Sequence, residues 1–553
     1  MDGAVGVTQC PIPPGQTFLY DFTVEQSGTY WYHSHSGGQY SDGLRSLVIV
    51  HDPEMESKYA FDKQVYLSVS DWYHQTSDVL EKRQLTRYNP TGAEPVPDSS
   101  LFNDTKNVTL GVEPETTYLV RIANVGVMVS QYLFIEDHEF DIIEVDGVYT
   151  KPAKAKMVYL GVGQRVSILL RTKKLSEVAK KFCIVQSFDT SMLDVVPKKL
   201  EVTSINYLSY DDDLPKSIPS KEFYDIESYE AFDDFNLRPI DGQPLLPEPD
   251  HVLKLNLHME NLGDGVNYAF FNNLTYVAPK VPTMLTAITA PEDLVMNSKI
   301  YGDNTNALIL NFGEIVDLVI DNDDSNKHPL HVHGHKYQVV TRSPEYETPH
   351  HFSYDNATFP EHPCVRDTVM VNTYGNTVIR FKADNPGVWF FHCHLDFHLE
   401  QGLAVVLVEA PDMIREFIDY DSLSESYLAS CRGSNTATRG NAAANAEDWL
   451  DLSGQNTQPN DLPEGFTTKG YIAMAVCILS ALWGLWEIAV YGMDDLKHSF
   501  QDNLDHEKLV VKDLIIQLTR ESEMMNLESR RRKKMDQMLE ELKELDGKFE
   551  GLQ

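Results

Sequence analysis

Three imidazoles and one thiol fall within seven residues at His392-Cys393-His394-Leu395-Asp396-Phe397-His398. The run follows Val388-Trp389-Phe390-Phe391, an aromatic and β-branched stretch that predicts a strand turning into a loop. Thiolate and imidazole together, with no CxxC nearby, suit copper better than zinc, and a trigonal set of two His and one Cys is a blue-copper arrangement. Alternation along a strand sends Cys393 to one face and His392 and His394 to the other. One residue can therefore hold a metal on one side while its neighbours hold a second centre opposite, joined by a short covalent path.

Two further clusters extend the pattern. His328-Pro329-Leu330-His331-Val332-His333-Gly334-His335 supplies four histidines, and Trp31-Tyr32-His33-Ser34-His35 adds an H-x-H pair whose rings would share a strand face. With these three segments in order, residues 1–430 resemble the multicopper oxidases. The resemblance implies His328, Cys393 and His398 as type 1 copper ligands and His331 as a type 2 ligand. It implies His33, His35, His333, His392 and His394 as ligands of the type 3 pair, and gives His335 no ligand role. The axial position of the type 1 site is Leu403, which cannot coordinate, and loss of an axial donor raises the copper potential. One departure stands out. The family's first H-W-H-G segment, expected upstream of His33, is absent, and Met1 to Cys10 resembles sequence just downstream of it. The reading is of an N-terminally truncated sequence, or of a product that does not complete its oxygen site. As written, the chain is expected not to reduce oxygen efficiently.

Three carboxylates match the iron site of the membrane ferroxidases of fungal iron uptake. They are Glu94 in Asn89-Pro90-Thr91-Gly92-Ala93-Glu94-Pro95, Asp194 in Met192-Leu193-Asp194, and Asp324, four residues before His328. Hard anionic oxygens stabilise Fe(III) over Fe(II) and make the bound ferrous ion a better reductant. The resemblance implies a ferroxidase that reduces O2 to water with copper cofactors (type 1, type 2 and a type 3 pair) and works beside an iron permease. A laccase-like phenol or amine oxidase and a non-catalytic copper-binding partner of a permease are the alternatives.

The elements that must position these residues are predicted to be β-strands. Alternating runs such as Gln64–Val69 and Thr117–Ile122 point to antiparallel β-sandwiches. The fold class is all-β: tandem cupredoxin-like sandwiches, the first incomplete, with a C-terminal transmembrane helix and helical tail. Residues 1–55 are expected to be a remnant of domain 1, 56–210 domain 2 and 211–430 domain 3. Residues 431–469 read as a flexible stalk, since Ser434 to Glu464 is rich in Asn, Ala, Thr, Gly and Asp. Residues 470–492 read as a membrane span: Tyr471 to Tyr491 is interrupted by Glu487 alone, and a span needs ~20 apolar residues. Residues 493–553 read as a helical cytoplasmic tail, with Leu514, Leu518, Met535, Met538, Leu542 and Leu545 at helical spacing and a basic run from Arg530 to Lys534. The net charge of −37 argues against nucleic acid as a partner. Sequons begin at Asn103, Asn107, Asn273 and Asn356, in keeping with a secretory ectodomain, although no signal peptide is visible. By resemblance, Cys10 and Cys183 could form a disulfide, Cys364 and Cys431 have no assigned partner, and the location is the plasma membrane, with the vacuolar membrane open.

Overall fold

The computed structural model describes residues 2–355, 357–462, 465–524 and 529–551. The Asn356 sequon, residues 463 and 464 of the expected stalk, and residues 525–528, 552 and 553 of the tail lie outside them. Two compact units emerge, Met1–Leu462 and Pro463–Gln553.

In the first unit, a two-stranded antiparallel ribbon pairs Gly28–His33 with Arg45–Val50. A sandwich follows, with a six-stranded sheet centred on Thr117–Asn124 and Arg165–Arg171 and a five-stranded sheet centred on Phe182–Phe188. A second sandwich repeats the plan. Its six-stranded sheet is centred on Ile315–Asn322 and Asn376–Lys382, and its five-stranded sheet on Gly387–Cys393. The two runs read as strands appear as Lys63–Trp72 and Thr117–Asn124, but they pair with each other in parallel rather than antiparallel fashion. Each of the four large sheets contains one such parallel pair. Strands that lie side by side after the chain has crossed between sheets arrive in the same direction, which a meander of hairpins would not allow.

The sheet carrying the metal-binding motifs is the most deeply buried. All six residues of Ala404–Glu409 are buried, and nearly all of Gly387–Cys393. Such continuous burial explains why these strands read as unbroken apolar runs rather than alternating ones. Phe391, Cys393, Leu395, Leu403, Val405 and Leu407 join Val332, Val369 and Phe397 in one core.

Two expectations are corrected here. The disulfide joins Cys10 to Cys431, not to Cys183. Cys10 and Cys431 share an apolar cluster with Val281, Leu285 and Phe390, whereas Cys183 is a buried free thiol on the strand Phe182–Phe188 of the other sandwich. Nor is 434–462 a flexible stalk. Asn441 accepts from the Ala443 and Asn445 amides and donates to the Trp449 and Asp451 carbonyls. Ala442 exchanges backbone hydrogen bonds with Ile300 and Lys280, and the Gln458 side chain accepts from Thr275 N and Asn304 Nδ2. Asn and Asp side chains satisfy the backbone locally, so a strap poor in apolar residues is nonetheless fixed.

The second unit is a helix, Thr468–Met524, followed by Ser529–Glu550, which packs against it. Leu504, Val511, Ile515 and Leu518 of the first helix, and Met535, Leu539 and Leu542 of the second, are the more covered apolar positions, while Leu514, Met538 and Leu545 remain exposed. The stretch Thr468–Glu523 contains a window long and apolar enough to cross a membrane.

Candidate metal centres and a carboxylate site

The strand Gly387–Cys393 lies between His328–Val332 and Ala404–Glu409, with Leu330 opposite Cys393 and His331 opposite His392. A short helix, Asp396–Glu400, turns the chain back so that His398 returns over Cys393. The turn is held by Leu403 N donating to His398 O and Cys393 N donating to Leu403 O.

On the Cys393 side, three donors converge. Cys393 Sγ lies 3.7 Å from His328 Nδ1 and 3.6 Å from His398 Nδ1, and the two imidazole nitrogens are 3.1 Å apart. All three residues are completely buried. A triangle of this size is what three donors form around one ion at bonds of ~2.0–2.3 Å. Burial opposes a thiolate at Cys393, but the two imidazoles outweigh it and draw its pKa down to about 7. Leu403 is buried beside this site and offers no donor atom.

On the opposite face the remaining histidines gather. His35, His333 and His392 bring one nitrogen each within 4.8 Å of one another, His333 Nε2 and His392 Nε2 being 3.2 Å apart. Around this trio, the His33 ring lies 5.2 Å from that of His394, and the His331 ring 5.6 Å from His394. The outer nitrogens are tied down, as orientation of ligating imidazoles requires. His331 Nδ1 meets Asp367 O and Thr368 Oγ1, both at 3.0 Å. His333 Nδ1 meets Asp2 Oδ1 at 2.7 Å, and His392 Nδ1 meets Cys393 O at 2.8 Å. Burial lowers the pKa of His33 to about 3 and holds His35, His392 and His394 well below the usual imidazole range. They are neutral and free to bind a metal. The H-x-H pair does not share a strand: the strand ends at His33 and His35 lies in the following turn, with the rings still 5.1 Å apart. His335 joins neither group; its Nε2 meets the buried Glu409 Oε2 at 2.5 Å.

Two of the three carboxylates, Glu94 and Asp324, bond the outer edges of the Cys393 site. His398 Nε2 meets Glu94 Oε1 at 3.0 Å and His328 Nε2 meets Asp324 Oδ2 at 3.0 Å. The Glu94 loop is shaped by Asn89, whose side chain donates to Gln84 O and Ala93 O. Among the described residues no donor reaches the buried Glu94 Oε2. Glu94 also acts electrostatically on Asp194. Partial burial, then Glu94, pushes the Asp194 carboxyl up to about 6, with Asp324 adding to the effect. By contrast, although burial opposes charge at Asp324, its bond to His328 brings it down to about 2. Two carboxylates coupled closely enough for one to raise the pKa of the other form a site that a positive ion would stabilise.

Sequence reasoning did not single out Asp2, Asp367 or Asp396. Asp396 lies inside the His-Cys-His run, but only its burial, in a water-sized cavity shared with His33, His35, His392 and His394, marks it out. That burial, reinforced by Glu400, Glu81, Asp71 and Asp42, raises its pKa well above the carboxylate range. Asp2 is 331 residues from His333, so no local signal could have paired them.

Multicopper oxidase family models match residues 1–55, 63–212 and 276–413. The chain belongs to the multicopper oxidase family, whose cofactor is copper and whose members are oxidoreductases. It is 49% identical over 506 residues to the iron transport multicopper oxidase FET3 of Candida glabrata, covering 90% of this chain and 78% of that one. It is 46% identical over 522 residues to FET3 of Saccharomyces cerevisiae, covering 93% and 79%. Among solved structures, Fet3p, a multicopper oxidase that functions in iron import, superposes with a TM-score of 0.78 at 48% identity, covering 83% of this chain and 86% of that one. The laccase of Botrytis aclada gives 0.65 at 26%, with 78% of each chain covered. The sandwiches are therefore cupredoxin-like.

Proposed function

We propose that this chain is an iron transport ferroxidase, oxidising Fe(II) to Fe(III) with O2 as the terminal acceptor. One observation carries the reading: Glu94 and Asp324 each hold a histidine of the Cys393 triangle at 3.0 Å, while Glu94 also raises the pKa of the Asp194 carboxyl. His328, Cys393 and His398 would hold a type 1 copper, with the buried Leu403 beside them offering no donor atom. His33, His35, His331, His333, His392 and His394 would serve the oxygen-reducing centre. When bound, copper supplies one-electron redox chemistry.

The chain's own residues do the rest. Glu94, Asp194 and Asp324 bind the ferrous ion and, as hard anions, favour its ferric form. The hydrogen bonds that Glu94 accepts from His398 and Asp324 accepts from His328 would give the departing electron a path of a few bonds. Cys393 links this side of the strand to His392 and His394 through its own backbone. Reduction of one O2 to two waters takes up four electrons and four protons, and Asp396, kept protonated by burial, holds a proton beside the histidine cluster. The names of the relatives, the apolar helix and the exposed sequon residues Asn103, Asn107 and Asn273 support a single-pass plasma-membrane protein with its catalytic part outside, next to an iron permease.

The test is substitution of Glu94 and Asp324 by Ala. Iron oxidation is expected to fall at least tenfold in kcat/KM while oxidation of an organic dye survives. Retained iron oxidation with lost dye oxidation would favour a laccase-like enzyme.

A further inference from the structure

The first sandwich supplies none of the nine proposed copper ligands, yet one of its buried side chains touches the supports of three of them. Arg165 begins the strand Arg165–Arg171 and is 3% exposed. Its Nε donates to Thr29 O at 3.1 Å, on the strand that ends at His33. Its Nη1 and Nη2 form a two-pronged pair with Asp367 Oδ1 and Oδ2, both at 2.7 Å. The Asp367 carbonyl and the adjacent Thr368 hydroxyl are the two partners of His331 Nδ1. Nη1 also donates to Gly163 O at 3.1 Å. Gly163, at φ +83°, lies so close under the His394 ring that an added Cβ would sit 2.5 Å from His394 Cδ2.

We infer that Arg165 is a positioning residue for the histidine cluster: its fork fixes the spacing between the His33–His35 segment, the His331 support and the turn under His394. The geometry is specific to a guanidinium. Three acceptors on three separate segments are met in one plane, which a Lys point charge cannot reproduce. Asp146 completes the node by accepting from Arg165 N, Arg366 Nε and Thr368 N, so the first sandwich grips the second on both sides of Asp367. The Cys393 triangle lies outside this grip. His328, Cys393 and His398 all come from the second sandwich and make no contact with Arg165 or Asp367 through the hydrogen bonds described above. Removing Arg165 should therefore uncouple the two centres, leaving one intact. This inference rests on the reading that the histidine cluster binds copper.

The experiment is equilibrium dialysis of the full-length chain in detergent against Cu(II), for the wild type, Arg165→Met and Arg165→Lys. Two readouts are taken: the blue absorption, which reports Cys393 coordination, and the copper bound in excess of it. The wild type is expected to bind the blue copper and at least one further ion. Both variants should keep the blue absorption and bind the further copper at least tenfold more weakly, the Lys variant failing despite its charge. Wild-type affinity for the further copper in Arg165→Met would overturn the inference. So would loss of both centres together in Arg165→Lys, which would make Arg165 a general support of the fold. A wild type that takes up the blue copper alone would contradict the copper reading of the cluster, and the inference with it.

Discussion

The roles of single residues follow from what each side chain touches. Asp194 is the clearest pH sensor at the carboxylate site. Partial burial and Glu94 raise it to about 6, so in the free site it keeps its proton from the ordinary carboxylate range up to that pH. Cation binding requires the anion, so affinity for Fe(II) is expected to rise roughly tenfold per pH unit below about 6 and to level off above it. The KM for Fe(II) measured across this range checks the expectation, and Asp194→Asn should flatten the profile. The proposed copper ligands were legible in the sequence because Cys and His are rare, chemically distinctive and closely spaced. Glu94, Asp194 and Asp324 were legible only through resemblance, since a carboxylate in an acidic chain carries no signal of its own. Asp396 and Arg165 were not legible: their roles depend on burial and on partners far away in sequence.

At the scale of elements, the alternation of apolar residues identified strands and the faces of the motif strand, but not their neighbours. A period of two fixes which side chains point inward and leaves the partner strand open, so the parallel pairing of Lys63–Trp72 with Thr117–Asn124 could not be read. The strap at 434–462 misled for a related reason. Its low apolar content resembles that of a disordered linker, while its order comes from side-chain to backbone bonds such as those of Asn441. The disulfide ties this C-terminal region to the beginning of the chain, closing a separation of 421 residues. Removing such a long-range link by Cys10→Ser is expected to destabilise the first unit by about 2–5 kcal/mol. Thermal unfolding would show this as a lower Tm, and an unchanged Tm would mean that the apolar cluster around Cys10 suffices.

For the whole molecule, the arrangement joins the Glu94 and Asp324 carboxylates, the Cys393 triangle and the histidine cluster across one strand. The apolar stretch of the helix Thr468–Met524 was legible as a candidate span from length and hydropathy, whereas the packing of Ser529–Glu550 against that helix needed the structure. The carboxylate site draws Glu94 and Asp194 from residues 63–212 and Asp324 from the following sandwich, so iron oxidation depends on the sandwiches being held in register. The direct test is anaerobic mixing of Fe(II) with the copper-loaded chain while the blue absorption is followed by stopped flow. Fe(II) is expected to bleach the absorption in the wild type, and at least tenfold more slowly when Glu94 and Asp324 are both Ala. Bleaching at the same rate in both proteins, or none in the wild type, would contradict the assignment of these carboxylates as the point where iron gives up its electron.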